Sequence, residues 1–486
     1  MLSVSIYTLG CKLNQLESEA LADSFIRRGF SLLPWEDMQA QPNIVIINTC
    51  TVTSRSDQKA RRVIRKSLLE NPGCCVIVTG CYAKLDREKI AALDGAGESP
   101  PGSPNCRRLF VIGDKSRLLD LPAFLRGEID GESSDAHNLA SLIAACLEKE
   151  AVAHDAGDAL ENAGAFCYKP EQFSFHTRGF LKIQDGCDNH CTYCRIRFAR
   201  GPSVSMPADL VLAELQALED KGYWEAVLTG VNISQYSQRN FPCHEASPGA
   251  SQGLGGLLSY LLNNTRSIGL RLSSLEPEFI DRDFAAVLAH PRIRPHFHLS
   301  VQSGSAPVLR KMGRAYTGET VGRCVSLLRS VKRNPFIACD IITGFPGETE
   351  SDFEETFALC RDAGFAWIHA FPYSKRPGTA AAAFPQTVTE REAAARVEKL
   401  IALAVKARQD YASAWIGAEV EALVEKGDGN TGGYCRGLSE NYLRLLIQYP
   451  DGHVPEAGTV LRCKITELAV GEQGNNSADA LALGLK

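Results

Sequence analysis

The chain has 486 residues, 44% hydrophobic and 22% charged, a globular mix with material for about three domains. Its formal net charge of −5 excludes a whole-molecule field that attracts a polyanion, so any nucleic-acid contact must come from a local basic patch. No stretch approaches the ~20 apolar residues of a membrane span. The first residues carry no basic leader, and 17 irregularly spaced cysteines read as free thiols in a reducing, cytoplasmic compartment.

Short β-branched runs open the chain: "SVSIYTL", "NIVIINT", "CVIVTG" and "RLFVIG". They lack strict alternation and are separated by helical patterns, which predicts a parallel sheet covered on both faces over 1–126. Residues 127–172 are weakly periodic and rich in Ala, Gly, Asp and Glu, and read as a linker with some helix. Over 173–410 six further runs recur between helical patterns: "FLKIQDG", "EAVLTGVN", "LRLSSLE", "HFHLSVQ", "FIACDIITG" and "WIHAFPYS". Six strand–helix units predict an α/β barrel short of the usual eight. "MPADLVLAELQALEDKG" is one of the helices, with Val211, Leu215 and Leu218 on one face. "SQRNFPCHEASPGASQGLGG" reads as a surface insertion. Residues 411–470 alternate like short antiparallel strands around Gly-rich turns, predicting a small β-barrel. The last residues, 471–486, read as a frayed tail.

"GCDNHCTYC" places Cys187, Cys191 and Cys194 within one short loop after the first barrel strand, at the face where such barrels carry chemistry. Three thiolates are one short of a closed tetrahedral zinc site or a fully ligated iron–sulfur cube. On a 4Fe–4S cube they leave one iron open to an external ligand. A zinc ion with His190 as fourth ligand is the alternative, but adjacent His190 and Cys191 space poorly for one ion. A second trio stands in the first domain. Cys11, Cys50 and Cys81 each follow an apolar strand, and in a parallel sheet the carboxyl ends of strands share one edge. Gly10, Thr49 and Gly80 precede them. The small residues among these let the chain turn beside a bulky group. Buried structural cysteines are the bland alternative. Cys74 and Cys75 precede or begin their strand and are excluded.

Cys-x3-Cys-x2-Cys with Tyr193 before its last cysteine resembles the signature of radical S-adenosylmethionine enzymes. With the second trio and the domain order, the whole chain resembles the methylthiotransferase family. "TLGCKLNQLESEA" is most similar to the branch that modifies N6-threonylcarbamoyladenosine beside the tRNA anticodon. The resemblance implies an α/β protein: a flavodoxin- or Rossmann-like parallel-sheet domain, an incomplete (β/α)6 radical SAM barrel, and a small antiparallel β-barrel of TRAM type. It implies two 4Fe–4S clusters, on Cys11, Cys50 and Cys81 and on Cys187, Cys191 and Cys194, together with S-adenosylmethionine. One cofactor molecule donates a methyl group to sulfur at the N-terminal cluster; another yields the 5′-deoxyadenosyl radical that takes hydrogen from C2 of the adenine. A tRNA substrate, an external electron donor and a sulfur donor are implied partners, and a monomer without membrane contact is expected. The same chemistry on isopentenyladenosine tRNA or a ribosomal-protein aspartate, or an iron–sulfur RNA-binding redox sensor, are the other readings.

Several further positions follow from the resemblance. Thr229, Gly230 and Asn232 stand where the family contacts the methionyl amine. Gln302 and Ser303 end the fourth strand, and Gly344, Phe345, Pro346 and Gly347 suit close approach to the adenine. Arg195 and Arg197 depart from the isoleucine and proline usual in the family, placing two cations beside the cluster for RNA phosphate or for its potential. "SRSDQKARRVIRKSLLE" puts Lys59, Arg62 and Lys66 near one helix face, a candidate contact for anticodon-stem phosphates. "GLSENY" resembles the TRAM module. Residues 411–470 hold five Lys/Arg against eight Asp/Glu, so RNA contact there falls to Arg436, Tyr442 and Arg444.

Overall fold

The computed structural model describes residues 2–35, 41–94, 108–113, 115–128, 136–148, 164–237, 253–426, 433–448, 455–469 and 478–485. The first domain is a parallel sheet of β1 (Ser3–Thr8), β2 (Ser31–Leu33), β3 (Ile44–Thr49), β4 (Cys75–Gly80) and β5 (Leu109–Val111). Its order is β2-β1-β3-β4-β5, the flavodoxin-like doubly wound arrangement whose direction of growth reverses between β1 and β3. The lack of alternation has a plain cause. Ile44 and Ile46 of β3 pack into one core and Val45 and Ile47 into another, so both faces are dry. Helices α1 (Lys12–Arg27) and α2 (Ser54–Glu70) lead away from β1 and β3. Edge strand β2, only "SLL", has no sequence signature and was not anticipated.

The predicted linker is built into both neighbouring cores where it is described. Helix Ala136–Glu148 buries Leu139, Ile143 and Leu147 in the first domain. Phe166 joins the core of the second. The spacing Leu139, Ile143, Leu147 is helical, but surrounding alanines blur its contrast. The predicted insertion lies largely outside the described residues.

All six predicted barrel strands form. They are β6 (Gly179–Lys182), β9 (Glu225–Thr229), β10 (Gly269–Leu272), β11 (His296–Gln302), β12 (Phe336–Thr343) and β13 (Trp367–Pro372), with β7 (Gln184–Asp185) and β8 (Val204–Ser205) as a small antiparallel ribbon. Triplets β10-β9-β6 and β11-β12-β13 are parallel throughout. Bridges Leu270–Ile293 and Leu275–Leu299 join them into one arc, whose free edges are β6 and β13. Helix Ala208–Asp220 turns Val211, Leu215 and Leu218 inward, as its periodicity predicts.

A closed barrel follows: β14 (Glu419–Val424), β15 (Tyr434–Ser439), β16 (Arg444–Gln448), β17 (Val460–Leu468) and β18 (Ala480–Gly484), in the order β14-β15-β16-β18-β17. Two expectations change here. The pair β16–β18 is parallel while the others are antiparallel. The tail expected to fray supplies the closing strand. "ALALG" buries Ala480 and Ala482 and turns Leu481 and Leu483 outward, so its small residues point in and its large ones out, the reverse of the usual alternation. The long helix Glu390–Ser413 runs across the expected boundary at 410.

A buried charge cluster fastens this barrel beneath the strand arc. Glu225, at the start of β9, accepts two hydrogen bonds of 2.8 Å from Arg271 and has Arg294 at 3.3 Å. Arg271 also donates to the Glu440 carbonyl of the third domain at 3.2 Å. Burial works against ionisation of Glu225, but Arg271, Arg178 and Arg294 outweigh it and hold the carboxyl near 2, from an ordinary 4.5. A folded-state value below the unfolded one stabilises the fold above pH 4.5 and loses that stabilisation as pH falls toward 2. Glu225→Gln leaves buried arginines uncompensated and is expected to cost about 3–5 kcal/mol. Thermal unfolding at neutral pH should show a lower midpoint, and the acid-induced drop in midpoint should be smaller than in the parent chain.

Candidate cluster and cofactor site

Cys11, Cys50 and Cys81 leave the carboxyl ends of β1, β3 and β4 at the point where the sheet reverses its growth. Cys11 caps α1 and Cys81 begins the helix Cys81–Leu85. The loops come this close because of two glycines. Gly10 has φ +110 and a Cβ there would stand 2.6 Å from Cys50 Cβ; Gly80 has φ +101 and its Cβ would stand 2.2 Å from the Thr49 carbonyl oxygen. Burial pushes the Cys50 thiol up to about 12, and the charges of Cys11 and Cys81 add to the rise. Cys50 thus lies beside the turns that carry Cys11 and Cys81.

The second trio is pinned from several elements. Thr192 N donates to Met312 O at 3.0 Å, Ala381 N to Thr192 O at 2.8 Å, and Cys187 N to Gly201 O at 3.1 Å. Burial lifts the Cys194 thiol to about 12, with Cys191 and Cys187 adding to it against a backbone N–H from Ile196. Cys187 and Cys191 are raised as well, burial first. Cys50 and Cys81 are buried with Cys11 exposed beside them, and Cys187, Cys191 and Cys194 are half-buried; free thiols of this kind suit a cationic inorganic centre, which takes up thiolates by displacing their protons. Among the described residues no group of three or more His, Cys, Asp or Glu is placed to hold a metal ion, and His190 is exposed.

Buried charges join the two trios. Arg200, just beyond the second trio, reaches Glu17 at 3.1 Å, Asp185 at 3.2 Å and Asn14 Oδ1 at 3.0 Å. Glu17 also pairs with Lys115, and Asp185 with Lys182 at 2.6 Å. Burial opposes ionisation of Glu17, yet Arg200, Lys115 and Lys182 bring its carboxyl down to about 2. Arg195 pairs with Asp86 at 2.9 Å, so this departure from the expected isoleucine ties the loop after Cys194 to the segment after Cys81. Its neighbour Arg197 is exposed. On the far side Arg376, after β13, donates to Asp57 of α2 at 2.7 Å, and Ser374 Oγ accepts from Ser54 N at 2.9 Å.

Comparison with known proteins places the family. Residues 181–360 match the Radical SAM superfamily, and residues 3–97 match the uncharacterized protein family UPF0004. The Treponema pallidum threonylcarbamoyladenosine tRNA methylthiotransferase MtaB is 40% identical, over 96% of this chain and 98% of that protein. The chain belongs to the MtaB family. The Bacillus subtilis MtaB is 32% identical, over 96% of this chain and 94% of its own. Among solved structures, the radical S-adenosylmethionine methyltransferase TsrM from Kitasatospora setae has a TM-score of 0.44 and 16% identity, over 78% of this chain and 77% of that one.

In this MtaB-family chain the remaining candidate residues stand at or just beyond the carboxyl ends of the arc strands. Tyr193 is half-buried edge-on to Phe345, centroids 6.4 Å apart, and accepts from Arg314 at 2.9 Å. Phe345 is itself fully buried between Tyr193, Tyr373 and Phe384, so it supports the Gly344–Gly347 turn from beneath. Gly344 N donates to Glu348 at 2.6 Å and Gly347 O accepts from Lys311 at 3.1 Å. Thr229 ends β9; Asn232 N donates to Gln184 Oε1 at 2.9 Å, and a Cβ on Gly230 would stand 2.7 Å from that same oxygen. Gln302 ends β11 at φ +63 beside a register shift, a strained backbone of the kind that collects at functional sites. Ser303 Oγ is engaged with Thr356 at 3.1 Å.

Sequence reasoning missed Gln184, Glu276 and Arg314. Glu276 accepts from Asn189 at 3.3 Å and Asn232 at 3.4 Å and pairs with Arg314, tying the trio loop to the ends of three elements. The only signal was the acidic "LEPE" at a strand end. Of the RNA candidates, Lys59, Arg62 and Lys66 are exposed on α2, joined by Arg55 and Arg65, and Arg436 is exposed. Tyr442 and Arg444 instead line a half-open cavity between the strand arc and the third domain.

Gly80→Ala is expected to displace Cys81, because backbone and not a flexible side chain occupies the space. Anaerobic reconstitution should then recover about half of the eight irons of two cubes, with the loss confined to the N-terminal trio.

Proposed function

We propose that this chain inserts a methylthio group at C2 of N6-threonylcarbamoyladenosine next to the anticodon of tRNA. What supports this reading is a chain that aligns nearly end to end with relatives named for that activity, with Cys11, Cys50 and Cys81 at the carboxyl ends of β1, β3 and β4 and Cys187, Cys191 and Cys194 in the loop that follows β7. When bound, two 4Fe–4S clusters and S-adenosylmethionine supply a methyl group from one cofactor molecule and a 5′-deoxyadenosyl radical from another. The protein supplies position and exclusion. Cys11, Cys50 and Cys81 hold one cluster, and Cys187, Cys191 and Cys194 the other. Tyr193, Thr229, Gly230, Asn232, Gln302, Ser303 and Gly344–Gly347 frame the cofactor. Glu276 and Arg314 keep that frame rigid.

Lys59, Arg62 and Lys66 take stem phosphates near Cys50, which places the target base rather than choosing it. The base leaves its stack to reach C2, as in other enzymes that act on a base. An external electron donor and a sulfur donor complete the partners, and a monomer in the cytoplasm is the working form.

Two variants separate the roles. Cys50→Ala should keep reductive formation of 5′-deoxyadenosine yet yield no methylthio nucleoside. Cys191→Ala should abolish both. Mass spectrometry of nucleosides from treated tRNA reads the product and identifies its other substituent. Turnover in Cys50→Ala equal to the parent would remove the N-terminal trio from the reaction, and RNA binding without any product would favour the redox sensor.

A further inference from the structure

A half-open cavity of about 890 Å³ lies between the strand arc and the third domain. Lys12, Arg178, His296, His298, His369 and Tyr442 line it. Its charges do not balance. Arg271 is matched by Glu225, and Arg408 by Asp479 through bonds of 2.6 and 2.7 Å. Arg178 lies only at salt-bridge range, 3.8 Å from Glu225 and 3.6 Å from Glu425. Its Nη1 is buried without a hydrogen-bond partner, as are Arg271 Nη1 and His296 Nδ1. Lys12 makes no hydrogen bond or salt bridge with a described residue. A buried set of donors with surplus positive charge is costly unless a ligand completes it.

The chemistry of the walls narrows that ligand. Phe336 and Trp367 line the cavity, and the His296 ring lies on Tyr442 with centroids 3.8 Å apart. A group with a carbon body and one anionic end fits better than bare phosphate. His298, paired with Asp340 at 3.1 Å and stacked on His369 at 5.2 Å, adds polar atoms part-way up the wall. Lys12 belongs to two places at once. Its side chain lines the cavity, while its chain neighbour Cys11 is a member of the N-terminal trio.

We propose that this cavity seats the N6-threonylcarbamoyl substituent of the target adenosine, with Lys12 and Arg178 receiving its carboxylate. The assignment rests on the tRNA reading above. In an adenine ring C2 and C6 flank N1, so a base that turns C2 to the trios carries its N6 substituent a few atoms away. Lys12, next in the chain to Cys11 and in the lining of the cavity, links the two places. The urea and hydroxyl of the substituent have His298, His369 and Tyr442 as partners. The cavity then selects the substituted adenosine over one with a neutral alkyl group, which leaves the buried cations unanswered.

Two anticodon stem-loop RNAs of one sequence test this, one bearing the free acid and one its methyl ester. Phosphate contributions cancel in the ratio of their kcat/KM values for methylthio product. The unaltered chain should favour the acid about ten- to hundred-fold, the worth of a charge-assisted hydrogen bond. Lys12→Met should bring the ratio close to one, and Lys12→Arg should restore most of it. Iron content of each variant shows that Cys11 is still in service. A ratio near one in the unaltered chain overturns the assignment, and that arm stands even if Lys12→Met fails to fold. So does an unchanged ratio in iron-replete Lys12→Met. If the unaltered chain modifies neither RNA, the proposed function fails instead.

Discussion

Charges that are buried on folding and have their partners in another domain fix this molecule. Glu17 of the first domain answers Arg200 of the second, Asp86 answers Arg195, and Asp57 answers Arg376. An unpaired charge in such a setting costs several kcal/mol, so sliding one sheet past the other breaks several pairs at once. The two trios inherit their relative position from this joint. Each is local to its own sheet edge, and neither edge alone determines where the other lies.

The third domain follows the same logic at the opposite end. Its backbone carbonyl at Glu440 receives Arg271, and Tyr442 enters the arc with φ +68 to lie on His296 and Phe336. A TRAM-like barrel is thereby the floor of the catalytic domain as well as a module with exposed surface. Its negative balance is less puzzling in that role, because several of its carboxylates face arginines of the arc and of the long helix.

The elements that a single segment determines were legible in the sequence: six arc strands, the sheet of the first domain apart from β2, and the strand-end positions of Cys11, Cys50 and Cys81. Strand-end cysteines are visible because parallel sheets align their carboxyl ends whatever the intervening length. What stayed hidden was pairwise. Arg195 looks like a free cation until Asp86, over a hundred positions away, is brought beside it. Tyr442 looks like a surface ring until the domain docks. Lys12 was noticed only as part of a motif, because nothing local shows that its neighbours include Arg178 and Tyr442. The closing strand β18 was lost for another reason. Alanines pointing inward give no hydrophobic contrast, yet they fit the tight interior of a five-stranded barrel.

The arc ends at β6 and β13, and the first domain spans the gap between them: α1 lies along β6, while Ser54 and Asp57 at the head of α2 hold the segment after β13. A six-stranded sheet has no intrinsic aperture, since its edges can splay. Here a foreign domain acts as a calliper, and the jaw width is set by a handful of side chains at either tip. The doorway for an incoming nucleotide is thus encoded by residues that belong to neither rim of the arc.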